Sequence, residues 1–146
     1  MNTLSRLILG TAFSLALAAC AAGPRAGSAS LYDRLGGQPA ITAVVDDFVA
    51  NGAADKRING QFANTNIPRL KMLLVEQICA GTGGPCQYTG RDMKSAHAHL
   101  KIGEADFAAL VEDLSRTLDK FKVPAKEQGE LIAILAPMKG DIVTVK

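Results

Sequence analysis

Hydrophobic residues in this 146-residue chain recur at helical spacing over most of its length. From residue 31 onward, apolar positions repeat every three or four residues, and no strand-like alternation persists. Within residues 39–49, for example, Ile41, Val44, Val45 and Phe48 fall on one side of a helix. The pattern therefore predicts an all-α domain over residues 31–146, which is long enough to form one hydrophobic core.

Glycines, prolines and capping residues divide this pattern into separate helices, several of them short. The first predicted helix, at 31–35, is ended by Gly36-Gly37, and the second, at 39–49, is ended by Asn51-Gly52. A short helical turn follows near 54–58, and the next helix, at 68–79, is capped by Asn66. The remaining helices lie around Met93 and His97, at 104–121, and from Pro124 onward with a kink near Pro137. Such unequal lengths do not fit the four equal helices of a simple bundle.

The first 19 residues have the composition of an export signal. One charged side chain, Arg6, precedes an apolar run from Leu7 to Ala19, which is too short to span a bilayer as a stable helix. The run ends in Leu-Ala-Ala before Cys20, which resembles the lipobox of bacterial lipoproteins. The resemblance implies cleavage before Cys20 and lipid attachment to its sulfur. The alternative is an ordinary signal cleaved at Ala-x-Ala, with Cys20 incidental.

Residues 20–30 are predicted to form a flexible tether, because the stretch after Cys20 is rich in Gly, Ala and Ser. Several acyl chains anchor a protein stably, whereas one chain is marginal. Residue 21 is Ala, so no Asp follows Cys20 to suggest retention in the inner membrane. We expect an exported protein at the periplasmic face of a bacterial membrane, lipid-anchored to the outer membrane.

Two further cysteines, Cys79 and Cys86, lie seven residues apart. An exported chain meets an oxidising compartment, so a disulfide between them is permitted. Two free, partly buried thiols are equally compatible with this spacing, and both interpretations stay open.

The charge distribution does not favour a nucleic-acid partner. Sixteen basic and fourteen acidic residues are mixed along the chain and give a net charge of +2. There is no basic run, and five Phe and two Tyr are the only aromatic residues. Nothing therefore predicts nucleic-acid binding.

His97 is the main candidate for chemistry, since it follows Met93 by four residues. Residues four apart share a helical face, so an imidazole and a thioether would point the same way, which suits a metal ligand beside a flat apolar group. His99 is the rival ligand. Residues two apart point to nearly opposite sides, so the two imidazoles should not reach the same metal. The motif around His97 favours it over His99.

Several motifs after residue 30 resemble those of the group I truncated haemoglobins. They are Leu31-Tyr32-Asp33-Arg34-Leu35-Gly36-Gly37, Val44-Val45-Asp46-Asp47-Phe48, Phe62 with Asn64-Thr65-Asn66, Arg69-Leu70-Lys71, Gly83-Gly84-Pro85, Tyr88-Thr89-Gly90, and Met93-Lys94 with His97. The resemblance covers nearly everything from Ser30 onward. It implies a two-over-two sandwich of helices around a non-covalent haem b, and the chain has no Cys-x-x-Cys-His motif for covalent attachment.

The resemblance also implies roles for individual side chains. His97 matches the proximal iron ligand, and Phe62 matches an aromatic residue that packs on the haem. Leu70 and Leu74 would face the iron from the distal helix. The proximal side and the haem edge would be lined by Met93, Ile102 and Phe107, and the propionates would be met by Thr65, Arg69 and Lys94.

Two positions depart from the family pattern. Val49 stands where these proteins usually carry Tyr, and Leu74 stands where they often carry Gln. Each change removes a hydrogen-bond donor for O2. Such a bond is worth roughly 1.5–3 kcal/mol, so its loss should speed O2 release by about tenfold to a hundredfold. We expect weak retention of O2 and a relative preference for CO and NO.

Other side chains could compensate on the distal side. The candidate substitute donors are Asn51, Gln61, Lys71 and Gln77. Lys71 or Met72 could also ligate the iron directly.

Three functions are compatible with these expectations. The preferred one is a haem protein that binds O2 and other diatomic gases as a carrier, scavenger or sensor partner. The second is an enzyme for NO dioxygenation or a peroxidase-like reaction; it is disfavoured because no Gly-x-Gly-x-x-Gly motif for a nicotinamide or flavin is present. The third is a haem-free helical lipoprotein that acts as an interaction module.

Overall fold

The computed structural model describes residues 29–145. In this range the chain forms α1 (Leu31–Arg34), α2 (Gly37–Ala54), a 3-10 turn (Asn59–Phe62), α3 (Ile67–Gly81), α4 (Met93–His97), α5 (Glu104–Lys120), α6 (Ala125–Leu135), a second 3-10 turn (Ala136–Met138) and α7 (Lys139–Ile142). Residues 29–145 contain no β-strand. The predicted signal, Cys20 and the tether up to residue 28 lie outside the described residues.

Local capping sets where the first two helices begin. The Ser30 hydroxyl accepts a hydrogen bond from the Asp33 backbone N–H at 3.1 Å, and the Asp33 carboxylate accepts one from Ser30 N–H at 3.2 Å. Gly36 and Gly37 follow with φ of 95° and 71°, a region that side chains with a Cβ rarely adopt. The glycine pair therefore ends α1, as predicted, and lets α2 begin at once.

The prediction that Asn51-Gly52 ends the second helix is wrong, because α2 continues to Ala54. The Asn51 amide donates to Asp47 Oδ2 at 3.0 Å and to Thr117 Oγ1 at 2.9 Å, so its side chain links α2 to α5 instead of forming a turn. Gly52 is buried, and a Cβ at this position would lie 3.2 Å from Phe62 Cζ. The helical turn predicted near 54–58 lies later, as the 3-10 turn at Asn59–Phe62.

The later helices match the predicted positions more closely. Asn66 caps α3 by accepting a hydrogen bond from Arg69 N–H at 3.0 Å. Pro124 directly precedes α6, and Pro137 lies in the 3-10 turn where α6 ends. The sequence predicted Asn66 as a cap, Pro124 as a helix start and Pro137 as a kink near the end of the last helix.

The hydrophobic core lies where α2 packs against α3 and α5, while α1 packs on α2 and α6. Its most deeply buried aliphatic side chains are Val45, Val49, Leu118 and Leu131. Helix α4 stands apart from this core and packs mainly on α7. None of the helices described for residues 29–145 is long and apolar enough to cross a membrane.

Candidate functional site

A side-chain contact between α3 and α4 shows which faces of the two helices meet. Gln77 Nε2 of α3 lies 3.6 Å from Met93 Sδ of α4. On α3, Leu70 and Leu74 precede Gln77 by seven and three residues, so they share its face; on α4, His97 shares the face of Met93. The faces that carry Leu70 and Leu74 on α3 and Met93 and His97 on α4 are therefore the candidate walls of a site. We call the space between these walls the slot.

The His97 ring is oriented by its own helix. Its Nδ1 lies 2.7 Å from the backbone carbonyl oxygen of Met93. A carbonyl oxygen only accepts hydrogen bonds, so Nδ1 is the donor in this contact, and in the neutral imidazole the lone pair then lies on Nε2. This is the tautomer that a metal-binding imidazole needs. His99 is exposed and lies in the turn that follows α4.

The large apolar side chains around the slot are only half-buried. No aromatic side chain in residues 29–145 is fully buried, although α2, α3 and α5 enclose a closely packed core. The half-buried apolar residues include Phe62, Leu70, Leu74, Met93, Phe107, Leu110 and Val111. An apolar ligand between the walls would complete their burial, at about 25 cal/mol per Å². The residues present therefore fit a flat apolar group with one nitrogen donor, as haem requires.

Phe62 lies where α2 and α5 approach each other. An added Cβ on Gly52 would lie 3.2 Å from Phe62 Cζ and 3.7 Å from Leu110 Cδ1. Gly52 therefore leaves room for the phenyl ring at the end of the 3-10 turn. This contact places Phe62 on the α2–α5 side of the domain.

Ile102 and Phe107 lie close to the end of the described chain. Ile102 is buried, and its carbonyl oxygen accepts hydrogen bonds from Thr144 N–H at 2.8 Å and Val145 N–H at 3.1 Å. The Lys139 ammonium lies 5.7 Å from the centre of the Phe107 ring, a distance typical of a cation–π contact. The loop after α4 is thereby held by residues that follow α6.

Three of the candidate substitute donors are engaged elsewhere. Asn51 links Asp47 and Thr117, as described above. Gln61 Nε2 donates to the Lys101 carbonyl oxygen at 3.2 Å. Lys71 forms an ion pair with Asp46 at 2.9 Å. Met72, the other candidate iron ligand, is 48% exposed.

Gln77, the fourth candidate donor, contacts the thioether sulfurs of two other segments. Its Nε2 is 3.1 Å from Met138 Sδ in addition to its contact with Met93. Both acceptors are thioether sulfurs, which are weak. Sequence reasoning named Gln77 only as a donor; its spacing from Leu70 and Leu74 also indicates that it lines the slot.

The candidate propionate partners are not joined to one another. The Thr65 hydroxyl donates to the Gln61 carbonyl oxygen at 3.4 Å. Arg69 and Lys94 are exposed, and neither forms an ion pair within residues 29–145. Their cationic groups are therefore available to a carboxylate ligand.

The loop between α3 and α4 is held to α3 by two ties, of which the sequence left the first open and did not indicate the second. Cys79 and Cys86 form a disulfide, with Cα atoms 5.7 Å apart. The Glu76 carboxylate accepts hydrogen bonds from Thr89 N–H at 3.0 Å and from Thr89 Oγ1 at 2.8 Å. Both ties connect the helix of the distal wall to the loop that leads into α4.

A buried carboxyl group lies on α5, among residues that sequence reasoning did not single out. Asp113 is fully buried; its Oδ1 accepts a hydrogen bond from Arg116, and its Oδ2 has no partner within residues 29–145. Burial raises the pKa of Asp113 above its ordinary value, and the Arg116 guanidinium opposes that rise. The sequence shows a polar residue here but not that the fold buries it.

Comparison with known proteins defines the class. A family model described as "Bacterial-like globin" matches residues 30–144. The chain therefore belongs to the bacterial-like globin family. Two relatives are Group 1 truncated hemoglobins: that of Mycolicibacterium paratuberculosis is 37% identical over 120 residues, covering 82% of this chain and 88% of the relative. That of Nostoc commune is 34% identical over 113 residues, covering 77% and 96%.

Solved structures confirm the predicted all-α, two-over-two fold. The truncated hemoglobin of Tetrahymena pyriformis in its Fe(III) form superposes with a TM-score of 0.75 at 27% identity, covering 79% of this chain and 98% of that one. The 2/2 hemoglobin of Synechococcus, solved in the cyanomet state with covalently attached heme, gives a TM-score of 0.75 at 30% identity, with the same coverage. The chain is an all-α truncated globin.

Proposed function

We propose that this chain binds haem b without a covalent bond, ligates the iron through His97 Nε2 and takes up diatomic gases such as O2, NO or CO. The observation that carries the proposal is the 2.7 Å contact between His97 Nδ1 and the Met93 carbonyl oxygen. In a neutral imidazole this contact leaves the lone pair on Nε2, which supports ligation of a metal through that atom. A ferrous haem would supply the iron position at which a diatomic gas coordinates.

The apolar walls would exclude water and hold the ring by burial. Leu70, Leu74 and Phe62 would cover one side of the haem. Met93 would cover the other, with Ile102 and Phe107 at the edge. The half-buried state of most of these side chains supports this assignment, because each has apolar surface left to bury.

The rim would hold the propionates through charge. Arg69 and Lys94 are exposed cations without an ion-pair partner in residues 29–145, and Thr65 offers a hydroxyl near them in sequence. Cation–carboxylate bonds at a partly solvated rim orient a ligand more than they retain it. Apolar burial and His97 would therefore supply most of the affinity.

The distal wall would retain O2 weakly. Val49 is 2% exposed and packs in the core, and Leu74 supplies only carbon atoms. Asn51, Gln61 and Lys71 already have partners, which supports the view that none of them donates to the gas. An apolar distal side penalises O2 relative to CO, because O2 gains more from a hydrogen bond.

An absorption spectrum of the purified protein tests this function directly. We expect a Soret band after haem addition, with distinct ferric, ferrous and CO-bound spectra. Absence of a Soret band would favour the haem-free interaction module instead. Stopped-flow kinetics of the ferrous form with O2 and NO would then separate a gas-binding protein from an NO-consuming or peroxidase-like enzyme.

The matched pair His97→Ala and His99→Ala tests the iron ligand. His97→Ala should weaken haem binding or change the spectrum, because it removes the only imidazole on the wall of Met93. His99→Ala should leave the spectrum nearly unchanged, since His99 is exposed. The reverse result would assign the iron to His99.

We also propose, from the sequence, that the domain is exported and anchored by lipid at Cys20. The apolar run before Cys20 and the Gly/Ala/Ser-rich stretch after it support this proposal. Intact-mass measurement of the membrane-extracted protein should show an acylated Cys20 as the first residue. A mature protein that begins elsewhere, with an unmodified Cys20 or none, would contradict it.

A further inference from the structure

We propose that the Cys79–Cys86 disulfide, assisted by Glu76, positions α4 and makes haem retention depend on the thiol redox state of the protein. The proposal rests on the proposed function, since it assigns these residues a role toward the group that His97 would hold. The disulfide lies outside the slot and would control how long the slot retains haem.

The disulfide and Glu76 act on the same stretch of chain. Residues 82–92 link α3 to α4 without helical structure of their own. Cys79 and Glu76 lie three residues apart on α3, and they hold Cys86 and Thr89 of the loop, respectively. The loop is therefore fixed to α3 at two points before α4 begins at Met93.

The disulfide and the Glu76–Thr89 hydrogen bonds help to set the distance between the two walls of the slot. Helix α3 provides Leu70 and Leu74 for one wall, and the loop delivers Met93 and His97 for the other. Helix α4 has only five residues, which is too short to be stable alone. Its position depends on its packing against α7 and on the loop that precedes it.

Only one end of the disulfide is accessible. Cys79 is fully buried and Cys86 is half-buried. A thiolate of a small dithiol would attack Cys86 Sγ, form a mixed disulfide with it and release the Cys79 thiolate. The second thiol of the reductant would then displace Cys86, so that the reductant becomes a disulfide and the protein gains two electrons and two protons as two thiols.

Reduction would loosen α4 without unfolding the core. The seven-residue closure at the start of the loop would disappear, leaving the Glu76–Thr89 hydrogen bonds, which are exposed to water. His97 would then spend more time away from its ligating position, and haem would leave faster. Reoxidation would restore retention.

The test is the rate of haem loss to a haem scavenger, measured before and after reduction by a dithiol. Mass spectrometry after alkylation should count no free thiol from Cys79 and Cys86 before reduction and two after it. We expect haem loss about tenfold faster in the reduced protein, which corresponds to about 1.4 kcal/mol. Equal rates in the two states, or two free thiols in the air-oxidised protein, would overturn the proposal.

Two variants separate positioning from general damage to the fold. Cys79→Ala with Cys86→Ala should lose haem at the rate of the reduced wild type and show no further response to the dithiol. Glu76→Gln keeps the disulfide and should give an intermediate rate that still responds. A dithiol response that persists in the double alanine variant would mean that the reductant acts elsewhere.

Hydrogen exchange of the haem-free protein gives a readout that does not depend on the gas-binding function. Amides of residues 87–97 should exchange faster after reduction, while those of α5 should not change. A missing Soret band in both redox states would refute the haem function but leave this exchange difference intact. Unchanged exchange at 87–97 would refute the positioning role itself.

Discussion

At the residue scale, Val49 and Leu74 are the two positions at which the proposed distal side departs from the family pattern. Val49 is enclosed by the core, so a larger side chain there would have to displace its neighbours. Leu74 is half-buried and shares its face with Leu70 and Gln77. Leu74 is therefore the position where a donor can be restored with least disturbance.

Leu74→Gln should slow O2 dissociation by about tenfold to a hundredfold, because a donor to O2 is worth roughly 1.5–3 kcal/mol. Stopped-flow measurement of the O2 dissociation rate checks this, and the CO dissociation rate should change much less. Met72→Gln is the matched control on the same helix, since Met72 is 48% exposed and lies on another face. A Met72→Gln effect as large as that of Leu74→Gln would refute the assignment of the distal wall.

Asp113 is the second residue whose chemistry leads to a prediction. Burial raises its pKa, so the folded protein binds this proton more tightly than the unfolded chain. The stabilisation of the folded protein by the protonated Asp113 carboxyl group is therefore fully present below the ordinary pKa of an aspartate. It is lost as the pH rises through that value and up to the raised pKa.

Asp113→Asn should remove this loss, because an amide does not ionise. Relative to wild type, the variant should gain stability as the pH rises from about 4 toward neutral, by about 1.4 kcal/mol for each pH unit that separates the raised pKa from the ordinary one. Urea unfolding across this range measures it. Asp141→Asn, at an exposed position, should show no such trend; a gain that does not grow with pH would contradict the explanation.

At the scale of helices, the sequence predicts boundaries wherever one residue decides them. The Asn66 side chain caps the start of α3, and the fixed backbone of Pro124 precedes α6, so the structure agrees with both predicted starts. The predicted end of α2 fails because it depends on distant partners. Thr117 of α5 accepts from Asn51, and the Phe62 ring covers Gly52. No local pattern contains these contacts.

The same limit applies to the site. The spacing of Leu70 with Leu74 and of Met93 with His97 places each pair on one helical face. In the structure, the contact between Gln77 and Met93 joins these two helices. Cys79 and Cys86 show what spacing cannot decide, since seven residues fit a disulfide or two thiols equally well. The direction taken by the loop after α3 resolves it, and that direction depends on tertiary contacts such as Glu76–Thr89.

Two glycines inside helices allow a paired test of the Phe62 contact. Gly129 of α6 has no atom near an added Cβ, so Gly129→Ala should stabilise the protein by about 0.5–1 kcal/mol through helix propensity. Gly52→Ala gains the same propensity but pushes on Phe62, so it should stabilise less or destabilise, and it should weaken haem binding. Thermal unfolding and haem titration check both; equal gains with unchanged haem affinity would refute the contact.

At the scale of the whole molecule, the end of the chain closes on the loop that follows the candidate iron ligand. The Thr144 hydroxyl accepts from Ile102 N–H at 3.0 Å and also donates to the Leu100 carbonyl oxygen. Backbone bonds from Thr144 and Val145 to Ile102 add to this junction. The short α4 thus lies between two anchored segments, one tied to α3 and one tied to the residues after α7.

Thr144→Val should loosen this second anchor while keeping the shape of the side chain. It removes the acceptor for Ile102 N–H, a loss of about 1 kcal/mol for a partly buried hydrogen bond. Haem should therefore dissociate about fivefold faster, with faster hydrogen exchange confined to residues 98–103.

Thr42→Val is the matched control, because the Thr42 hydroxyl bonds only to Gln38 of its own helix, at 2.8 Å. It should leave both measurements unchanged. If the two anchors act independently, combining Thr144→Val with dithiol reduction should multiply the two rate increases, since their energies add when no contact is shared. If both act by freeing α4 as one unit, the combined increase should fall well short of the product, because a helix already released by one change has little left to lose from the other.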